Sequence, residues 1–220
     1  MCQRARQRKP LETKKLQMRN IALALAALAL VSTSAVADCT SEVNDAFAKL
    51  RKSGAFRMET KIFNPAGALT MSNDYVLPDR MHQSVSMESG AKGAMEMILI
   101  SGKAWSNQGN AGWAEVPSDF AAKIAQQMKE TVAEAPKDES KFECLGDVDF
   151  EGKKYVAYRT KRAAATDAGD SGPTVQTVYV DKALGVPVRN IVTSETDPSK
   201  RLFDGTFTLR EGLKIEPPKL

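Results

Sequence analysis

"MHQSVSMESGAKGAMEMILISGKAW", residues 81–105, holds four of the chain's nine methionines. Met81, Val85 and Met87 occupy alternating positions, and so do Met95, Met97 and Leu99. The glycine-bearing segment ESGAKG, residues 88–93, separates the two runs. Side chains two residues apart in a strand point to the same face, so two such runs joined by a turn predict an antiparallel hairpin with one methionine-rich face. Methionine is flexible and polarizable, and suits both an irregular core and an adaptable apolar binding wall. The sequence leaves both readings open for this face.

The same period extends on both sides. Phe56, Met58, Thr60 and Ile62 alternate with Arg57, Glu59 and Lys61, and Leu69, Met71, Tyr75 and Leu77 continue the pattern up to Pro78. Six of the seven methionines after residue 37 lie between Met58 and Met97. Trp105 and Trp113 flank a Gly109-Asn110 turn and predict a further hairpin. They can act as a cross-strand aromatic pair, or rim a cavity mouth with their N–H groups in the wet zone. Strand patterns return at residues 144–150, 153–162, 174–181, 186–194 and 201–210. The polar stretch AAATDAGDSGPT at 163–174 has too little apolar area to order itself and reads as a loop; the tail IEPPKL is expected to be loosely held.

Two helices punctuate the strands. Over Ser41–Lys52, Val43, Phe47 and Leu50 share a face, with Ser41 as the expected cap and Gly54 as the stop. Over Ser118–Ala135, Phe120, Ile124, Met128 and Val132 recur at a spacing of four, with Ser118 as cap and Pro136 as stop. This second helix reads either as a fixed core helix or as a lid over the sheet. The economical fold is α+β: one curled, unclosed antiparallel sheet of eight or nine strands, a half-barrel, with both helices covering its concave face.

Location follows from the N-terminus. From Met18 the chain has one arginine, an apolar run from Ile21 to Val31, and Ala35-Val36-Ala37. That is a secretory signal peptide with cleavage after Ala37, too short for a membrane span; residues 1–17 read as a dispensable upstream segment. The expected product is one domain, residues 38–220, in an oxidising, periplasmic compartment without a stable membrane anchor. Residues 1–37 hold seven Lys/Arg and one acid, which leaves 24 basic and 26 acidic residues. A slightly acidic domain carries no electrostatic footprint for nucleic acid.

Cys39 and Cys144 remain after cleavage and predict a disulfide across 105 residues of chain. Lipidation of Cys39 is the rival reading, opposed by Asp38 where a lipoprotein signal needs a small neutral residue. The single histidine, His82, reads as a solvated residue, and Asp79-Arg80 as a turn ion pair of little weight. No nucleophile elbow, phosphate loop, CxxC or metal spacing occurs, so neither an enzyme, a cofactor nor a metal site is expected.

Three segments carry a resemblance. GALTMSNDYVLPDRMH (67–82), ILISGKAWSNQGNAGW (98–113) and VYVDKALGVPVRNIV (178–192) resemble the strand and hairpin patterns of the LolA/LolB-like lipoprotein-sorting superfamily. The likeness spans most of residues 41–210. It implies an unclosed half-barrel with a helical lid and a cavity for lipid or lipoprotein acyl chains. In that superfamily's carriers an arginine just before a proline latches the lid. Leu77 stands at that position here, before Pro78, with Arg80 displaced by three residues.

The expected ligand-binding set is therefore Met58, Ile62, Leu69, Met71, Met81, Val85, Met87, Met95, Met97, Leu99, Trp105, Trp113, Phe120, Ile124 and Met128. The alternative is an envelope assembly module with a filled core, which offers a sheet edge to a protein partner.

Overall fold

The computed structural model describes residues 38–65, 67–87, 94–109, 111–135, 140–163 and 172–220. The expected signal peptide, the expected turn at 88–93, the expected helix stop Pro136 and most of the expected loop at 163–174 lie outside these residues. Eleven strands form one antiparallel sheet: β1 (Ala55–Asn64), β2 (Gly67–Val76), β3 (Arg80–Met87), β4 (Met95–Ile100), β5 (Lys103–Gln108), β6 (Trp113–Glu115), β7 (Glu143–Phe150), β8 (Lys153–Arg162), β9 (Thr174–Val180), β10 (Pro187–Ser194) and β11 (Arg201–Leu209). The count exceeds the expected eight or nine, because the tryptophan hairpin supplies two strands of which β6 has only three residues.

The spatial order is β6-β5-β4-β3-β2-β1-β11-β10-β9-β8-β7. The chain lays down one half outward from β1 and then changes edge. It returns strand by strand until β11 pairs with β1. β6 and β7 do not pair, so the half-barrel is open. Helix α2 (Ser118–Met128) and its widened, π-helical last turn (Lys129–Ala133) make the passage between the two edges. This connection places apolar helix over the sheet: Ala121 and Met128 are buried with Met81, Leu99, Ala104, Tyr75 and Phe56.

Helix α1 (Thr40–Lys52) covers the other half. Val43 and Ala46 pack with Tyr158, Val178 and Val180. The Cys39–Cys144 disulfide, with Cα atoms 5.6 Å apart, ties the start of α1 to β7. The Cys39 N–H also donates to the Phe142 carbonyl at 2.8 Å.

Neither expected serine caps its helix. Pro117, not Ser118, precedes the first turn of α2, and its carbonyl accepts from the Phe120 and Ala121 N–H groups. At α1 the Asp38 carboxylate accepts from the Thr40 N–H at 3.0 Å in place of Ser41.

The convex face carries its own small core. Ile98, Trp105 and Ile215 are buried there, with Val76, Ile100 and Trp113 packed against them. The tail is held at its first residue, where Ile215 is buried and its carbonyl accepts from the Arg80 guanidinium at 2.9 Å, whereas Leu220 at its end is 81% exposed. Asp79 instead accepts from the Ser101 hydroxyl, so the Asp79-Arg80 turn pair gives way to two longer-range contacts. His82 is not solvated as expected: its Nε2 is buried and its ring lies 6.4 Å from that of Trp113.

Candidate functional site

Register fixes which side chains share the concave face. Phe56 pairs with Tyr75, Met58 with Asn73, Thr60 with Met71 and Ile62 with Leu69. β3 then places Met81 beside Tyr75, Val85 beside Met71 and Met87 beside Leu69. β4 adds Met95, Met97 and Leu99 opposite Val85, Gln83 and Met81. All the methionines from 58 to 97 therefore stand on one face.

The helices cover only part of it. Met81 and Leu99 are buried in the core under α2, with Met58, Met97 and Ile124 packed against it. Further along the strands Ile62, Leu69, Met71, Val85 and Met95 are half-buried, and Met87 is 40% exposed. The methionine face is a core at one end and an uncovered apolar rim at the other.

A cavity of about 500 Å³ lies between α1, the end of α2 and the sheet. Met58, Phe207, Asn190, Gln176 and Arg162 contribute from five strands. Val43, Phe47, Leu50 and Arg51 contribute from α1, and Thr131 and Val132 from the π-helical turn. Phe47 and Phe207 meet edge to face, their centroids 5.8 Å apart, which fixes α1 on the sheet beside the opening. The lining is mixed, ten apolar and eight polar or charged residues, and the volume lies within the roughly 300–1,000 Å³ of ligand pockets.

Two pairs of amide side chains on the concave face bond to each other. Gln176 donates to Asn190 at 3.0 Å inside the cavity, and Gln83 donates to Asn73 at 2.8 Å on the other half of the sheet. Burial pushes the Tyr75 hydroxyl up to about 12. Burial and a hydrogen bond donated to Glu42 do the same for Tyr158. Neither phenol is available as a base at neutral pH; these groups support the walls.

A second opening of about 580 Å³ lies beside α2, lined by Pro78, Leu99, Gly102, Ala125, Met128 and Glu134 among others. Among the residues expected from sequence, Met58 lines the first cavity and Leu99 and Met128 line the second. Three expectations change. Trp105 pairs with Ile98 and Glu115, on the opposite face from Leu99, and Trp113 stands with it on the convex side. The pair is not directly cross-strand either, since Trp113 faces Asn107. Phe120 is 57% exposed, with the Lys123 ammonium 5.4 Å from its ring, because Ala121 takes the inward position.

Phe207, Asn190 and Gln176 escaped the sequence reading. The available signal was the alternation of Phe203, Gly205 and Phe207 in β11. A side chain at Gly205 would meet the Phe203 ring at 2.9 Å, so the glycine makes room for that ring on the concave floor.

No family profile matches the chain, and no curated protein sequence does. Solved structures do. The lipoprotein LppX of Mycobacterium tuberculosis superposes with a TM-score of 0.54 at 10% identity, over 80% of this chain and 97% of that one. LprF of Mycobacterium bovis gives 0.49 at 12%, over 82% and 96%. A putative outer membrane lipoprotein-sorting protein domain of Vibrio parahaemolyticus gives 0.24 at 12%, over 79% and 94%. The likeness to LppX shows that this chain shares that protein's fold, here an open eleven-stranded antiparallel sheet with two covering helices.

Proposed function

We propose that this protein is an exported, periplasmic binding or carrier protein that holds a lipid or acylated ligand between its sheet and its helices. The observation that carries this reading is the cavity of about 500 Å³ beside α1. Its walls are Phe47, Leu50, Met58, Val132 and Phe207 on opposed elements. Burial itself supplies the affinity, at about 0.8 kcal/mol per methylene removed from water, so an acyl chain needs no covalent or metal contact. The half-exposed rim of Ile62, Leu69, Met71, Val85, Met87 and Met95 gives longer chains a surface to run along.

The test is native mass spectrometry of the protein purified after export from a bacterial host, followed by solvent extraction. A bound mass that extracts as a lipid supports the reading. Val132→Asp should remove that mass while leaving the unfolding transition in place, because Val132 is only half-buried in the wall. A clean apo mass that takes up no added fatty acid or lipid sinks it. A stoichiometric protein partner would instead favour the second reading, an assembly module. What favours that reading is the edge strand β7, whose outer side is met only by the Asp38 bridge at Glu143 among the described residues.

A further inference from the structure

Two guanidinium groups and one carboxylate line the cavity: Arg51, Arg162 and Asp45. They differ in setting. Asp45 lies on the exposed side of α1, and Arg162 is exposed at the end of β8. Arg51 is half-buried in the last turn of α1, beside Leu50 and across from Val132. Its side chain has no hydrogen-bond or ion-pair partner among the described residues. Burial pushes this guanidinium below its ordinary value, the mark of a charge taken partly out of water without compensation.

Such a group is costly unless something pairs with it, and a guanidinium offers five donors in a fork that fits a carboxylate or phosphate. The rest of the lining sets the remainder of the ligand. Asn44, Phe47, Ala48 and Arg51 run along one flank of α1, about 10 Å from end to end at the helical rise. A volume of about 500 Å³ has room for one acyl chain with its head.

We infer that the cavity selects a single-chain anionic amphiphile, with its carboxylate or phosphate head held by Arg51 and its chain laid along α1 against Phe47, Met58 and Phe207. This rests on the lipid-binding reading above and narrows it to one chain and one head charge. Arg51 then discriminates among ligands, while the apolar wall supplies the bulk affinity.

The experiment compares palmitate, palmitoyl lysophosphatidate and hexadecanol by titration and native mass spectrometry. It uses the disulfide-bonded protein, its Arg51→Gln variant and an Arg162→Gln variant. Hydrogen bonds to charged groups predict that the wild type binds one palmitate at least about tenfold tighter than hexadecanol, and that Arg51→Gln removes this preference while hexadecanol binding stays unchanged. If lysophosphatidate and palmitate both show the preference, any anionic head suffices; if one alone shows it, the head is that one, and either result upholds the role of Arg51. Equal binding of palmitate and hexadecanol by the wild type overturns the inference and leaves the lipid-binding reading standing. A preference lost in Arg162→Gln and kept in Arg51→Gln also overturns it. Binding of none of the three overturns both.

Discussion

The two ends of the methionine face began as one pattern and finished as different materials. At one end Met81 and Leu99 are buried beneath α2 with Tyr75 and Phe56. At the other, Leu69, Met71, Val85 and Met95 are half-buried and Met87 is 40% exposed, on the same face of the same strands. Alternation decides which side of a sheet is apolar, and the connection between the edge strands decides how much of that side is covered. Among the described residues the connection contributes one helix of eleven residues and one widened turn, and these cover only part of the half-barrel. An uncovered apolar surface of this kind is one that a guest molecule can occupy.

The halves of the sheet differ as well. The α1 half is stapled by the disulfide, whereas α2 meets the sheet by apolar packing. Replacing both Cys39 and Cys144 by serine should therefore have the largest effect. The chain-entropy model gives a loss of about 4–5 kcal/mol for a loop of this length. Chemical denaturation of the oxidised protein and the double variant reads it, and a loss below about 1 kcal/mol would show that α1 is held by Val43 and Ala46 without the staple. Next comes Leu99→Ala at the packed end, at about 2–5 kcal/mol. Met87→Ala at the open rim should cost less, about 1 kcal/mol, because 40% of that residue stays in water in the fold. Equal costs would mean that the two ends are covered alike.

The sequence reading worked where the signal was local and periodic. The strands after residue 140 fall within a residue or so of their expected bounds, because short polar or glycine turns bracket each one. It worked less well wherever a side was assigned across a turn. Trp105 shares odd numbering with Leu99, yet the tight Ser101-Gly102 turn pairs Leu99 with Ala104 and so puts Trp105 opposite Ile98, on the other face. On α2 a strict spacing of four advances about 40° around the helix at each step. Phe120, Ile124, Met128 and Val132 cannot all face inward, and Phe120 loses its place to Ala121. The cavity was the least legible, because its walls come from α1, the end of α2 and five strands far apart in the chain.

The two faces of β2 differ in what acid should do to them. On the convex face Asp74 is nearly buried and accepts from the Arg57 guanidinium at 2.8 and 2.7 Å. The hydrogen bond from Arg57 is the main reason its carboxyl is held below the ordinary value. A carboxyl lowered in the folded state contributes stability above its unfolded value near 3.9, and loses it as pH falls through the lower folded value. Asp74→Asn should therefore cost about 1–3 kcal/mol at pH 7, and the gap from wild type should close below about pH 3. Urea unfolding at several pH values reads this. A gap that persists at pH 2 would mean that the carboxamide disturbs packing rather than charge.

Thr60 marks the boundary between the packed end and the rim. It follows Phe56 and Met58 on the concave face of β1 and precedes the half-buried Ile62, with Met71 and Gly205 as its strand partners. Thr60 is only 1% exposed, and its hydroxyl is buried without a hydrogen-bond partner among the described residues. A buried hydroxyl that bonds to nothing is a cost, while an isosteric methyl in the same place is not. Thr60→Val should thus raise stability by up to about 1 kcal/mol in thermal unfolding of delipidated protein. A loss of stability would mean that the hydroxyl is satisfied by water that reaches the boundary from the rim. The apolar surface would then end at Thr60, and the rim would be wet rather than a continuation of the methionine core.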